Sequence, residues 1–336
     1  RLLRRAAVGR EGKARRASMK KGFMAASGRR PLYEEEGRGQ GSQEKMRLGV
    51  AYNVYDGEEL LLDSIRSIKP NVDFVAVVYQ TISNFGNPAH PKLEERLKHL
   101  ESLGLVDEMR LYHPKQFSDE EKTQLCSPSS KELGGPPTMV SNQFFNELMK
   151  REIGRQMCAE RGCTHFMSMD TDEFYKQDEL ARVKQKILDH NLEGTSCKMR
   201  FYFKEPTYEM MPFDEHNQVP LIYKLKKDSR LLLAHPYPCI VDPTRRMAGV
   251  GRFTELGRED IEMHHFSFVR ADMSSKMINV SNRDNHDGAV QFLREFQNWT
   301  PEMGVIHPHP FGRKIFRFIS WVPNIFNVDI SWIDKI

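Results

Sequence analysis

Asp170-Thr171-Asp172-Glu173 follows directly on the apolar run His165-Phe166-Met167-Ser168-Met169, and this junction carries the chain's clearest chemical signal. A strand through the run would bring the acidic residues to a sheet edge and stop there. Side chains at i and i+2 of a strand share a face, so Asp170 and Asp172 are expected to converge on one divalent cation. Mg2+ and Mn2+ favour carboxylate and water oxygens and leave coordination positions for substrate phosphates. The pattern points to chemistry on a diphosphate. Alone, D-x-D is a weak motif, and a solvated turn with a helix cap is the plain alternative.

A second group of potential ligands comes later, in Glu262-Met263-His264-His265-Phe266-Ser267-Phe268-Val269-Arg270. On a strand, Glu262, His264 and Phe266 would share one face, and Met263, His265 and Ser267 the other. One imidazole could complete a metal shell while the other packs or binds backbone. His265 is the preferred ligand, with His264 as the fallback.

The elements that must position these groups show in the hydrophobic pattern. Leu48-Gly49-Val50-Ala51-Tyr52 reads as a short buried strand. Glu58 to Ile68 reads as a helix with Leu60, Leu61, Leu62, Ile65 and Ile68 apolar, and Asp56 in the Asp56-Gly57 turn is its expected cap. Val72 to Tyr79 is a valine-rich run of the kind covered on both faces. This strand–helix–strand unit predicts a parallel sheet with a right-handed crossover. A helix over Pro91–Leu103 and a strand over Met109–Tyr112 follow, and residues 114–138 read as a long surface loop. Val140 to Arg161 is predicted as a helix with Phe144, Phe145, Leu148, Met149, Ile153 and Met157 on one stripe. The order places the acidic pair at the carboxyl end of a strand, where ligands sit in open α/β sheets. The second half is more β-like, with alternation over Cys197–Phe203 and strand candidates at Pro220–Leu233 and Ile261–Val269.

At 336 residues and 39% hydrophobic content the chain can build a sizeable core. Its net charge of +4 is unevenly spread: residues 1–45 hold thirteen Lys/Arg against five Glu, leaving 37 Lys/Arg and 41 Asp/Glu elsewhere. The basic stretch is too poor in apolar residues to fold alone. It reads as a solvated extension or as sequence upstream of a true start, since the chain opens on Arg1 and the periodic region begins at Met46. The functional alternatives are a nucleic-acid or membrane-surface contact or a transit peptide. No run approaches the roughly 18 apolar residues of a membrane span. The chain as given is therefore expected to be soluble, with a cytoplasmic location as the default and a lost anchor as the alternative. The five cysteines are odd in number and irregularly spaced, which argues for free thiols over a disulfide framework.

Three stretches together resemble the nucleotide-sugar glycosyltransferases of GT-A fold grouped around family 2. They are Ala51-Tyr52-Asn53-Val54-Tyr55-Asp56-Gly57-Glu58, the helix ending Cys158-Ala159-Glu160-Arg161-Gly162-Cys163, and Asp170-Thr171-Asp172-Glu173-Phe174. His265 to Arg270 followed by Lys276 resembles the region where such enzymes place a metal-binding histidine and phosphate contacts. The resemblance covers roughly residues 46–285. It implies an α/β fold with a Rossmann-like mixed sheet flanked by helices, in one main domain behind a disordered basic tail (1–45). Residues 46–175 would form the nucleotide-sugar half, 176–285 the acceptor half and 286–336 a C-terminal extension. Tyr52, Asn53, Tyr55 and Glu58 would hold the donor's base and ribose. Asp170, Asp172 and His265 would bind Mn2+ or Mg2+, and Lys276 or Arg270 would add positive charge at the leaving diphosphate. Lys150-Arg151 could approach the donor's base or phosphate, although a solvated helix face is the simpler reading.

An inverting transfer needs a carboxylate base near the acceptor hydroxyl. Glu259-Asp260 resembles the acidic pair that serves in family 2, but a strand-like segment follows it instead of a helix. Asp260 leads, with Asp214 and Glu215 as rivals, and retaining chemistry stays open. The acceptor could be a glycan, a protein or a small molecule. Specific nucleic-acid binding is not expected, and a peripheral membrane contact is open. Two other classes compete: a metal-dependent phosphoesterase using the same carboxylates and histidines, and a non-enzymatic binding protein with a nucleic-acid-contacting tail.

Overall fold

Four parallel strands in the order β3-β2-β1-β4 make one end of the sheet, with β3 at its edge: β1 (Leu48–Val54), β2 (Phe74–Tyr79), β3 (Glu108–Leu111) and β4 (His165–Asp170). The computed structural model describes residues 45–128, 135–213, 215–279, 286–306 and 317–336. The expectations for the basic stretch 1–44 and for Asp214 fall outside these residues. The described residues belong to one compact unit, Lys45–Ile336.

The pleat sorts side chains between two layers of helices. Val50, Tyr52, Val54, Val75, Val77, Met167 and Met169 face α1 (Glu58–Ile68) and α2 (Leu93–Ser102), and α5 (Gln177–Asp189) joins the same core. Ala51, Ala76, Val78 and Phe166 face α4 (Asn142–Glu160) through Phe145, Leu148, Met157 and Cys158. By the period of two, Asn53, Ser168 and Asp170 belong to the α4 side. Helix α4 comes very close to the sheet at Gly154, where an added Cβ would lie 2.4 Å from that of Ala51.

Beyond β4 the sheet turns antiparallel. The remaining strands are β5 (Glu173–Phe174), β6 (Gly194–Phe203), β7 (Glu205–Met211), β8 (Asn217–Lys224), β9 (Arg230–Leu231), β10 (Ile240–Val241), β11 (Met247–Ala248), β12 (Phe253–Glu255), β13 (Glu262–Phe268), β14 (Val305–Ile306) and β15 (Arg317–Trp321). β8 pairs antiparallel with β4 and β6, and β13 lies parallel to β6 and antiparallel to β5. The sheet is thus mixed and flanked by helices, as expected. Residues 286–336 also contribute to it: β15 pairs with β7, and Trp332 donates its indole N–H to the Glu59 carbonyl in α1 at 2.7 Å. Trp299 and Trp332 are buried, while Trp321 is exposed.

Two local expectations are corrected. Asp56 does not cap α1; the N-cap is Gly57 in the left-handed region (φ 76°), with no side-chain cap. Residues 114–138 are not loop throughout, because α3 (Asp119–Leu125) starts at a capping box between Ser118 and Glu121. That S-x-x-E signal stands in the sequence, masked by the surrounding Pro, Ser and charge. All five cysteines are free thiols, four of them buried. No helix among the described residues is long and apolar enough to cross a membrane.

Candidate active site

A cavity of about 270 Å3 opens at the carboxyl ends of β1 and β4, and both aspartates of the D-x-D line it. They do not reach it along one strand. β4 ends at Asp170, Thr171 and Asp172 form a turn, and β5 starts at Glu173. The turn is fixed from three directions. The Thr171 hydroxyl donates to the Asp56 carbonyl at 3.3 Å, the Asp170 N–H donates to Glu173 Oε2 at 3.2 Å, and Ser64 of α1 donates to the Glu173 carbonyl at 2.6 Å. β5 then pairs with β13 so that Glu173 faces His265. This pairing is what brings Asp172 beside the imidazole.

Asp172 is buried and divides its carboxylate between two tasks. Oδ1 lies 3.3 Å from His265 Nε2, while Oδ2 accepts from Arg270 Nη2 at 2.5 Å and from Lys276 Nζ at 2.9 Å. Burial alone would raise its pKa, but Lys276, Arg270 and His265 together hold it well below the usual carboxylate range. Lys276 sits on α6 (Met273–Asn279) and also donates to Ser267 Oγ at 2.6 Å. Gly57 makes room for Arg270: a Cβ there would lie 1.4 Å from Arg270 Nη1.

Asp170 faces the other way, towards two buried arginines. Arg151 approaches Oδ1 at 3.2 Å, and Arg245 Nη2 donates to Oδ2 at 2.5 Å. Arg245 also binds both oxygens of Glu173, at 2.5 and 2.9 Å, so it braces the acidic turn from behind. Asp242 approaches both arginines, at 3.4 and 3.3 Å. Against the pull of burial, Arg151 and Arg245 hold the Asp170 carboxyl well below its ordinary range.

Of the sequence-predicted residues, the structure gathers Asn53, Tyr55, Asp170, Asp172, His265, Arg270 and Lys276 around one cavity. Arg151 stands behind it, bonded to Ser168 and Asp170. Tyr52 points into the core and bonds Ser64, because it falls on the α1 side of the pleat. Glu58 is buried in an ion pair with Arg96 at 2.6 Å and lines a neighbouring cavity. Glu259 and Asp260 are not among the lining residues, and both carboxylate oxygens of Asp260 accept from Lys186 at 2.7 Å. Glu215 binds Lys198 and Arg258. His264 bonds the Tyr202 hydroxyl at 2.7 Å, within a packed aromatic group. The reading of Lys150-Arg151 as a solvated face is corrected: the two are 5% and 1% exposed. The sequence does carry the signal, since Glu147, Arg151, Gly154 and Cys158 recur at i+3 and i+4 on the face packed against the sheet. Arg245, which the sequence reading does not single out, is an internal brace on Asp170 and Glu173.

A divalent cation can be tested against these donors. Neighbouring ligands of an octahedral ion with about 2.1 Å bonds stand about 3 Å apart, and the Asp172–His265 pair meets that spacing. No cluster of three or more His, Cys, Asp or Glu able to hold a metal occurs among the described residues. One carboxylate and one imidazole suit an ion that takes its other ligands from water and substrate phosphates, not a closed protein cage. The pair fits such an ion.

No protein-family model matches the chain, and neither does any curated protein. Solved structures similar to it include residues 1–349 of S. aureus TarS, at 13% identity and a TM-score of 0.37 over 66% of this chain and 61% of that one. The same protein in complex with UDP-GlcNAc aligns at 13% identity and a TM-score of 0.37, over 74% and 65% of the two chains. The mannosyltransferase PcManGT from Pyrobaculum calidifontis, in complex with GDP-Man and Mn2+, aligns at 13% and 0.38, over 80% and 68%. The chain spans 61% of the length of the first of these.

Proposed function

We propose that this chain is a glycosyltransferase that moves a sugar from a nucleoside-diphosphate sugar to an acceptor hydroxyl, with Mn2+ or Mg2+ at the donor diphosphate. The observation that carries the reading is the split carboxylate of Asp172, with an imidazole 3.3 Å from one oxygen and two cations on the other. Asp172 Oδ1 and His265 Nε2 would hold the ion, with Asp170 behind them as a fixed negative charge. Bound there, the ion supplies Lewis-acid neutralisation of the departing diphosphate, worth several kcal/mol in such reactions.

The chain's own groups supply the rest. Arg270 and Lys276 can pass hydrogen bonds from Asp172 to phosphate oxygens, so positive charge would already be in place where negative charge develops. Burial and the neighbouring Arg270 lower the Lys276 pKa, which makes an added anion favourable beside it. Asn53 and Tyr55 line the same cavity and would take the nucleoside. Asp56 and Glu147 are further carboxylates on its wall and would be the chain's candidates for taking the acceptor proton.

The test is a thermal-shift panel of nucleoside diphosphates and their sugars, with and without Mn2+. The expected result is stabilisation by at least one diphosphate that grows with Mn2+, followed by sugar transfer from the matching donor. Failure of every nucleotide to bind, or hydrolysis of phosphodiesters without sugar transfer, would overturn the reading.

A further inference from the structure

Cys158 and Cys163 meet where α4 ends and β4 begins, at the opposite end of β4 from the cleft. Gly162 closes the helix in the left-handed region (φ 72°), and the Cys163 N–H donates to the Cys158 carbonyl at 3.0 Å. That bond brings the two α-carbons to about the separation a disulfide spans, roughly 4.4–6.8 Å. The side chains close on each other over Gly49 of β1. A Cβ on that glycine would lie 2.7 Å from Cys158 Sγ and 2.8 Å from Cys163 Sγ. The Cys158 thiol donates a hydrogen bond to the Cys163 sulfur.

The two thiols are not equivalent. Cys158 is 0% exposed, while Cys163 keeps 7% of its surface in solvent. The bond from Cys158, helped by Arg47, draws the Cys163 thiol below its ordinary range against the pull of burial, Asp73 and Asp107. The same bond, with burial, pushes Cys158 well above it. A redox dithiol needs this asymmetry, with an accessible sulfur held towards thiolate and a resolving thiol in contact behind it. Two plainer readings account for less. An apolar contact often accompanies this kind of helix ending, but it does not call for sulfur on both sides. A metal ion would need more ligands, and no group of three or more His, Cys, Asp or Glu able to hold one occurs among the described residues.

We propose that Cys163 and Cys158 are a redox-active pair that a hydroperoxide closes, reversibly, to a disulfide clamping the end of α4 to the start of β4. The site is independent of the transferase reading. The Cys163 thiolate attacks a peroxide oxygen, so an S–O bond forms as the O–O bond breaks, and hydroxide leaves to take up the Cys163 proton as water. Cys158 then attacks the Cys163 sulfur. The S–S bond forms as the S–O bond breaks, and the second hydroxide leaves as water with the Cys158 proton. Two thiols lose two electrons and two protons, and one hydrogen peroxide becomes two waters. A thiol reductant reopens the pair by exchange.

The full chain is treated with hydrogen peroxide, alkylated, digested with trypsin and read by mass spectrometry, with and without a final dithiothreitol step. Trypsin cuts at Arg161, between the two cysteines, so the closed pair shows as residues 156–161 joined to 162–176. The expected result is that joined peptide, lacking two hydrogens and undone by dithiothreitol, while Cys126, Cys197 and Cys239 stay open to alkylation once the protein is unfolded. Oxidised protein should melt several degrees higher, because the cross-link restricts the unfolded chain. Cys158→Ala should leave a sulfenic acid on Cys163 that dimedone traps, and Cys163→Ala should leave Cys158 unoxidised. Should either variant not fold, phenylarsine oxide, which bridges neighbouring thiols, should capture the pair in wild-type protein. Wild-type protein that gives no joined peptide, oxidises first at Cys239, or closes the pair with no rise in melting temperature overturns the proposal.

Discussion

Asp172 Oδ1 lies 3.3 Å from His265 Nε2 although the two residues are 93 positions apart in the sequence. The two-residue strand β5, running antiparallel to β13, is what joins them. His265→Ala should therefore leave the fold intact and weaken Mn2+-supported nucleotide binding by tenfold or more. Asp172→Ala should abolish it. Mn2+ titrations at fixed nucleotide, read by thermal shift, check both. Undiminished binding by Asp172→Ala would refute the metal assignment.

Gly57→Ala tests whether Arg270 needs its niche. A left-handed residue with a Cβ costs roughly 1–2 kcal/mol, and the new methyl would occupy the space of the Arg270 guanidinium. We expect a modest fall in the urea midpoint but a much larger loss of nucleotide affinity. Proportionate losses in both would show that the niche serves stability alone.

Arg245→Leu should be severely destabilising, by about 3–5 kcal/mol, because it strips a buried partner from both Glu173 and Asp170. Combining it with Glu173→Leu should cost less than the two single changes added, since the pair then leaves together. Urea unfolding of the two single variants and the double variant measures this coupling.

Acid should weaken the protein well above the pH at which carboxylates titrate. Burial pushes His264 down to about 3 and His165 down to about 4, so both stay neutral in the fold. Between about pH 6.5 and pH 4 the unfolded chain takes up protons that the folded chain refuses. The two histidines therefore lower stability as pH falls through that window, against the buried carboxyls of Glu58, Asp63 and Glu173, which are raised in the fold and act the other way. Below about pH 4, the depressed carboxylates of Asp172 and Asp242 add a further loss in the same direction. Denaturation midpoints from pH 7 to 4 should trace the slope, and His165→Gln should flatten it.

Asp260→Asn should reduce turnover no more than about threefold, because Lys186 already occupies both oxygens and the side chain does not line the cleft. A hundredfold loss of turnover with unchanged donor affinity would return Asp260 to the reaction.

The elements that make the floor of the site were legible. The valine-rich run at Val75–Val78 and the carboxyl-edge position of Asp170 follow from local pattern, while the alternation expected over Cys197–Phe203 does not hold, because Tyr202 and Phe203 are both buried. The walls were not. Arg245 reaches Asp170 from 75 residues away and Arg270 reaches Asp172 from 98, and nothing local to either arginine records its partner. The pairing of Asp170 and Asp172 was expected from the pleat of one strand. In the folded chain the two do not converge. A turn between β4 and β5, held by the Asp170 N–H on Glu173 and the Thr171 hydroxyl on the Asp56 carbonyl, sends Asp170 to Arg151 and Arg245 and Asp172 to His265, Arg270 and Lys276. Tyr52 was misread for a simpler reason: a loop-like motif says nothing about which side of the sheet a residue occupies.

The indole bond from Trp332 to the Glu59 carbonyl spans 273 positions, and the Asp329 N–H reaches Asp63 of the same helix at 2.9 Å. During synthesis, α1 must therefore wait until residues 329–332 have been made before it acquires these partners. Contacts this distant in sequence slow folding, so the docking of α1 against Asp329 and Trp332 should be a late step in forming this core.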